Sequence, residues 1–154
     1  MAVFGLFSAL HCAPYCKTVN HNNLKNLLLI DDDEDDRDFF LSVLSTISPA
    51  YSCETAENGL IALDGLVAHK YAPDLIFLDL NMPVMSGKQF LQEIKANAEL
   101  NHIPVIILST SADRQSIAET RSMGAIEFIT KPSKLSVLEI KLREVLSNPS
   151  FRTN

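Results

Sequence analysis

Basic clusters, paired cysteines and long apolar runs are all missing from this 154-residue chain. No stretch approaches the roughly 18 consecutive apolar residues that a membrane-spanning helix needs. With 13 Lys and Arg against 19 Asp and Glu and no basic block, the electrostatic footprint of a nucleic-acid binder is absent. The three cysteines, Cys12, Cys16 and Cys53, are odd in number and lack zinc spacing, which suits a reduced, cytoplasmic setting. His11, His21, His69 and His102 show no ligand spacing either. The N-terminal stretch lacks the positive start and small-residue exit of a secretory signal. There is no internal repeat and no low-complexity segment.

What the chain does have is a 47% hydrophobic composition in a length typical of one domain. Its charge is also concentrated. Residues 31–38 read D-D-D-E-D-D-R-D, and these eight positions carry the whole net charge of −6, the remaining acids and bases cancelling. Such a run is usually a solvated face. Its position, directly after an apolar run, argues for more.

Residues 1–23 differ from the rest and are expected to be a poorly ordered extension, with a folded domain over 24–148 and a short tail over 149–154. From Leu24 onward two periods alternate. Leu27 to Ile30, Leu75 to Leu78 and Val105 to Leu108 are continuous apolar runs, as in strands buried on both faces. Tyr51 to Thr55 and Ala125 to Thr130 are weaker strands. Helical spacing follows each strand: Phe39, Phe40, Val43, Leu44 and Ile47; then Leu60, Leu63, Leu66 and Val67; then Phe90, Leu91 and Ile94. A weakly amphipathic helix spans about Asp113 to Met123 with Gly124 at its stop, and Leu135, Leu138, Leu142 and Val145 mark the last one. Asn58-Gly59 reads as a helix start or turn. Five strand-then-helix units predict a doubly wound five-stranded parallel α/β sheet with helices on both faces. The expected strand order is 2-1-3-4-5, the flavodoxin-like one of the two common arrangements.

Ligands of such sheets bind beyond the carboxyl ends of the strands. There the chain places Asp31 and Asp32 after Ile30, Asp79 after Leu78, Ser109 and Thr110 after Leu108, and Lys131-Pro132 after Thr130. In order 2-1-3-4-5 the first and third strands are neighbours, so Asp31, Asp32 and Asp79 converge. At about 5 Å and an effective dielectric near 20, one such pair repels by about 3 kcal/mol before screening. A hard divalent cation such as Mg²⁺ suits that oxygen set. A hydroxyl and an ammonium opposite it describe phosphoryl transfer, and a carboxylate can serve as the nucleophile.

The acidic pair Asp31-Asp32 after Leu29-Ile30 and the block Asp79-Leu80-Asn81-Met82-Pro83 with Gly87 beyond are two marks of a known family. The run Pro104 to Ser109 and the pair Lys131-Pro132 complete it. Together they resemble the receiver domain of two-component response regulators, over roughly Lys25 to Ser147. The resemblance implies that Asp79 is the phosphoacceptor and that Asp31, Asp32, Asp79 and the backbone carbonyl of Asn81 hold Mg²⁺ or Mn²⁺. It implies that Lys131 pairs with the phosphoryl group, that Ser109 is the switch hydroxyl and that Lys131-Pro132 is a cis bond. Phe128 falls at the aromatic switch position. Thr110 stands where alanine is common in the family, and Asp33, Glu34, Asp35 and Asp36 exceed what the metal needs. They are expected to lead into the first helix, where negative charge suits the N-terminus.

Taken singly, Asp79 reads as a turn residue, Ser109 as a loop hydroxyl, Lys131 as a surface lysine and Phe128 as core. A stand-alone receiver accepting phosphate from a histidine kinase or histidine phosphotransfer protein is the favoured reading of the set. An aspartate-nucleophile phosphohydrolase would want an acid two residues after Asp79, where Asn81 stands. A pseudo-receiver working only by contact would not need the intact acids, Ser109 and Lys131. Only N-P-S-F-R-T-N follows Ser147, so the chain is expected either to pass its output through a downstream protein partner or to be an intermediate in a phosphorelay. The expected form is a cytoplasmic monomer or weak dimer, with no membrane or nucleic-acid partner.

Overall fold

Continuous apolar runs form strands here because both faces of the sheet are covered. The computed structural model describes residues 26–151, so the expected extension over 1–23 lies outside the described residues. Five strands, β1 (Asn26–Ile30), β2 (Ser52–Ala56), β3 (Leu75–Leu78), β4 (Val105–Ser109) and β5 (Glu127–Thr130), alternate with five helices. The helices are α1 (Glu34–Ile47), α2 (Gly59–Val67), α3 (Gly87–Ala96), α4 (Arg114–Ser122) and α5 (Leu135–Ser147). All strand pairs are parallel, in the order β2-β1-β3-β4-β5, as expected.

Alternate residues of each strand feed two cores. Leu28, Ile30, Ile76, Leu78, Val105 and Ile107 face Ala62 and Leu66 of α2 and Phe90, Leu91 and Ile94 of α3. Leu27, Leu29, Phe77, Ile106 and Leu108 face Phe40, Val43 and Leu44 of α1 and Leu138, Leu142 and Val145 of α5. Phe40 and Phe77 pack tilted, with ring centroids 4.9 Å apart. A strand buried on both faces cannot alternate polar with apolar, hence the runs.

Helix starts follow their capping chemistry. Asp33, Asn58, Ser86 and Asp113 each accept a backbone N–H from three residues on, at the heads of α1, α2, α3 and α4. Asn58 is thus a cap, and Gly124 takes φ +101° beyond α4, as a helix stop requires. The core face of α2 differs from the leucine spacing. Gly59, Ala62, Gly65 and Leu66 are buried, whereas Leu60 and Val67 are exposed. Small residues let α2 approach closely, which periodicity in leucine alone does not register. Leu135, at the first position of α5, is exposed as well. A 3-10 turn, Pro149–Phe151, follows α5, and Phe151 packs against the α1–α5 core. Cys53 is a free thiol in β2, and burial pushes its pKa up to about 12.

Candidate functional site

Strand register sets the site. Ile30 pairs with Leu78, so Asp31 and Asp79 leave the sheet side by side, and the Asp79 N–H donates to the Ile30 carbonyl at 2.9 Å. Carboxylate oxygens of Asp31, Asp32 and Asp79 all lie within 4.8 Å of one another. Asp31 and Asp79 are buried and Asp32 is exposed. Two further turns hold the buried pair: Asp31 Oδ1 accepts from the Asp33 N–H at 3.1 Å, and Asp79 Oδ2 accepts from the Asn81 N–H at 2.8 Å. Gly87 closes against this loop. A Cβ there would lie 2.1 Å from the Asp79 carbonyl oxygen and 2.8 Å from Leu80 Cα, so only glycine fits.

Opposite the acids, Ser109 pairs with Thr130 across β4 and β5, and the Lys131 N–H donates to the Ser109 carbonyl at 2.9 Å. The Lys131 ammonium reaches back over the sheet edge. Its Nζ lies 2.7 Å from Asp31 Oδ2, 2.7 Å from Asp36 Oδ2 and 3.3 Å from Asp79 Oδ1. Burial alone would lower its pKa, but hydrogen bonds to Asp31 and Asp36 and the charges of Asp31 and Asp79 override that and raise it. The Asp31 carboxyl is raised above its ordinary range, chiefly by burial, with Lys131 and the Asp33 N–H offsetting part of the shift. The carboxylate repulsion expected from sequence is therefore moderated from within the chain, since one ammonium sits among three of the acids.

Ser109 Oγ is fully buried and has no hydrogen-bond partner. A buried hydroxyl left alone costs about 1–3 kcal/mol. Beside it runs an open groove of about 300 Å³, lined by Asn81, Ser86, Lys88, Ser109, Ser111 and Ser116 among others. Thr110 is exposed, and Phe128 is half-buried against the α2–α3 core. One expectation is corrected. No peptide bond among the described residues is cis, Lys131-Pro132 included. The trans form is the ordinary preference of a prolyl bond by about 0.5–1 kcal/mol, and with it Lys131 already reaches its carboxylates.

Residues 27–143 match the family described as response regulator receiver domain. The chain belongs to that family. This receiver domain is 30% identical to chemotaxis protein CheY-3 of Vibrio cholerae, over 84% of this chain and 96% of that one. Among solved structures it resembles the phosphorylated cyanobacterial phytochrome response regulator RcpA, with TM-score 0.73 and 31% identity. That match covers 79% of this chain and 91% of that one. The Mn²⁺-bound form of response regulator Rcp1 is similar at TM-score 0.72 and 30% identity, over 80% of this receiver and 92% of that chain. Two longer curated relatives are spanned over only 26% and 9% of their lengths. Among the described residues of this receiver, no helix is long and apolar enough to cross a membrane.

The contact that sequence reading missed is Asp36. It lies in the first turn of α1, where its charge was expected, but its carboxylate also pairs with Lys131. Nothing local signals a partner 95 residues away.

Proposed function

We propose that this receiver accepts a phosphoryl group on Asp79 from the phosphohistidine of a histidine kinase or histidine phosphotransfer protein, and that the modified form changes how it binds a downstream partner. The observation that carries this is the Lys131 ammonium lying 3.3 Å from Asp79 while it also pairs with Asp31. An Asp79 carboxylate oxygen attacks phosphorus, the phosphorus–nitrogen bond breaks, and the histidine leaves with the electron pair. Lys131 neutralises charge on the arriving oxygens, and the orphaned Ser109 hydroxyl donates to one of them. Asp31, Asp32, Asp79 and the Asn81 backbone carbonyl would hold Mg²⁺ or Mn²⁺. The all-oxygen donor set within 4.8 Å fits such an ion, which when bound supplies further charge neutralisation. The role is that of a signalling module rather than a phosphohydrolase, in keeping with Asn81 where such an enzyme wants an acid. With Mg²⁺ and acetyl phosphate the protein is expected to gain one phosphoryl mass that hydroxylamine removes; a stable adduct, or none, would refute an acyl phosphate.

Asp32 separates metal binding from folding. It is exposed and takes no part in the Lys131 contacts, so Asp32→Asn is expected to change metal-free stability by only about 0.5 kcal/mol. A cation at 100 times its dissociation constant stabilises wild type by about 2.7 kcal/mol. Most of that gain is expected to vanish in Asp32→Asn. Urea unfolding followed by circular dichroism with and without Mg²⁺ measures both terms, and a full Mg²⁺ response in the variant rules Asp32 out as a ligand.

Coupling to a partner runs through Ser109. As its hydroxyl moves toward the phosphoryl group, space opens for Phe128, which is half-buried and free of polar ties at its ring. The face of α4, β5 and α5 then changes. NMR shift changes on phosphorylation are expected to concentrate between Ser109 and Leu146. Changes confined to the loops at Asp32 and Asp79 would contradict this switch.

A further inference from the structure

Asp36 does more than lend charge to a helix N-terminus. Glu34 and Asp35 already supply negative charge to the first turn of α1, with Asp33 as the cap. The Asp36 backbone N–H is fixed to Asp33 Oδ1 at 3.1 Å, and Arg37 Nη1 ties the same turn to the Asp31 carbonyl at 2.8 Å. From this anchored turn the Asp36 carboxylate meets Lys131 Nζ at 2.7 Å, as close as Asp31 does. A lysine ammonium has three protons. Asp31 and Asp36 take two at short range, and the third is left for Asp79 at the longer 3.3 Å. Lys131 also lines a small cleft together with Phe39, Phe40, Pro132 and Leu138.

Accepting Asp79 as the phosphoacceptor, we propose that Asp36 is a positioning residue, which with Asp31 holds the Lys131 ammonium so that its remaining proton faces the group arriving on Asp79. A lysine has a flexible four-carbon stem, and holding it beforehand removes an ordering cost from the transfer step. Two of its three donors stay engaged while the third exchanges a carboxylate for a phosphoryl oxygen. Asp36 thereby links α1 to the loop between β5 and α5.

The test compares Asp36→Ala with Asp35→Ala in the full chain. Each variant removes one negative charge from the same turn, but Asp35 is exposed and forms no ion pair with Lys131. With saturating Mg²⁺ and acetyl phosphate, Asp36→Ala is expected to be phosphorylated about five- to tenfold more slowly than wild type, and Asp35→Ala within about twofold. Equal rates in the two variants, or a faster Asp36→Ala, overturn the proposal. A second readout needs no phosphoryl group: the ¹⁵N-ammonium resonance of Lys131 in the metal-free protein. It is expected to be slow to exchange with water in wild type and Asp35→Ala, and lost in Asp36→Ala. Its persistence in Asp36→Ala also overturns the tether. A wild type that takes no phosphoryl group refutes the role of Asp79, and the ammonium resonance then decides the tether on its own.

Discussion

Asp79→Asn is expected to abolish the phosphoryl adduct that wild type forms with acetyl phosphate and Mg²⁺, leaving only the unmodified mass. The amide keeps the shape of the side chain and an oxygen that can accept the Asn81 N–H, now at 2.8 Å from Asp79 Oδ2. What it loses is the carboxylate nucleophile, for which no neighbour substitutes. Asp31 is the other buried acid of the site, but it has Lys131 at 2.7 Å on Oδ2 and the Asp33 N–H on Oδ1. Asp32 is exposed and lies away from the ammonium contacts. The fold is expected to survive, because Lys131 retains Asp31 and Asp36 as partners. Circular dichroism should therefore show native helix content in the variant. Intact-protein mass spectrometry reads the result directly. A full adduct on folded Asp79→Asn moves the acceptor elsewhere.

Lys131→Met is expected to give the largest loss of stability at the site while keeping the stem volume. Removing the ammonium leaves Asp31 and Asp79, whose side chains are only 2% and 6% exposed, without their cation. Stripping one partner from a buried pair typically costs about 3–5 kcal/mol. Here Asp36 is 42% exposed and can turn to water, which places the expected loss nearer about 2–3 kcal/mol at pH 7. For a domain of this size that is a fall in Tm of the order of 10 °C. The pH dependence has a definite sign. Asp31 is already raised above 3.8 in the folded protein, so the folded state holds that proton more tightly than the unfolded chain. Such a group favours folding below the ordinary carboxylate range and loses that contribution as pH rises through its raised value. Without Lys131 the upward shift grows, so the deficit of the variant should shrink toward pH 4 and widen toward pH 8. In wild type the raised pKa of Lys131 keeps its contribution whole below about 10.5, and it is lost only as pH rises above that. Mg²⁺ should restore part of the variant's stability by supplying the missing charge. Thermal melts across that pH range, with and without Mg²⁺, would measure this. A deficit that is flat in pH would mean that packing of the lysine stem, not its charge, is what the fold requires.

Much of this is legible in the amino-acid sequence. Leu27 to Ile30, Leu75 to Leu78 and Val105 to Leu108 announced strands buried on both faces, since only such strands tolerate apolar residues at every position. Their carboxyl ends then marked Asp31, Asp79 and Ser109 as neighbours of a pocket, because strand order in a doubly wound sheet dictates which ends adjoin. These are local signals, readable within a window of about ten residues. The helix faces were less legible where small residues make the contact, as Gly59, Ala62 and Gly65 do in α2. Tertiary structure alone decided where the charges meet. That Lys131 takes Asp36 as well as Asp31 and Asp79, that Asp32 is exposed, and that the Ser109 hydroxyl is buried without a partner follow from register and helix placement across the whole sheet. An ion pair formed over 95 residues leaves no periodicity in the chain. Coulomb attraction depends on the distance between two side chains in space, and only folding fixes that distance.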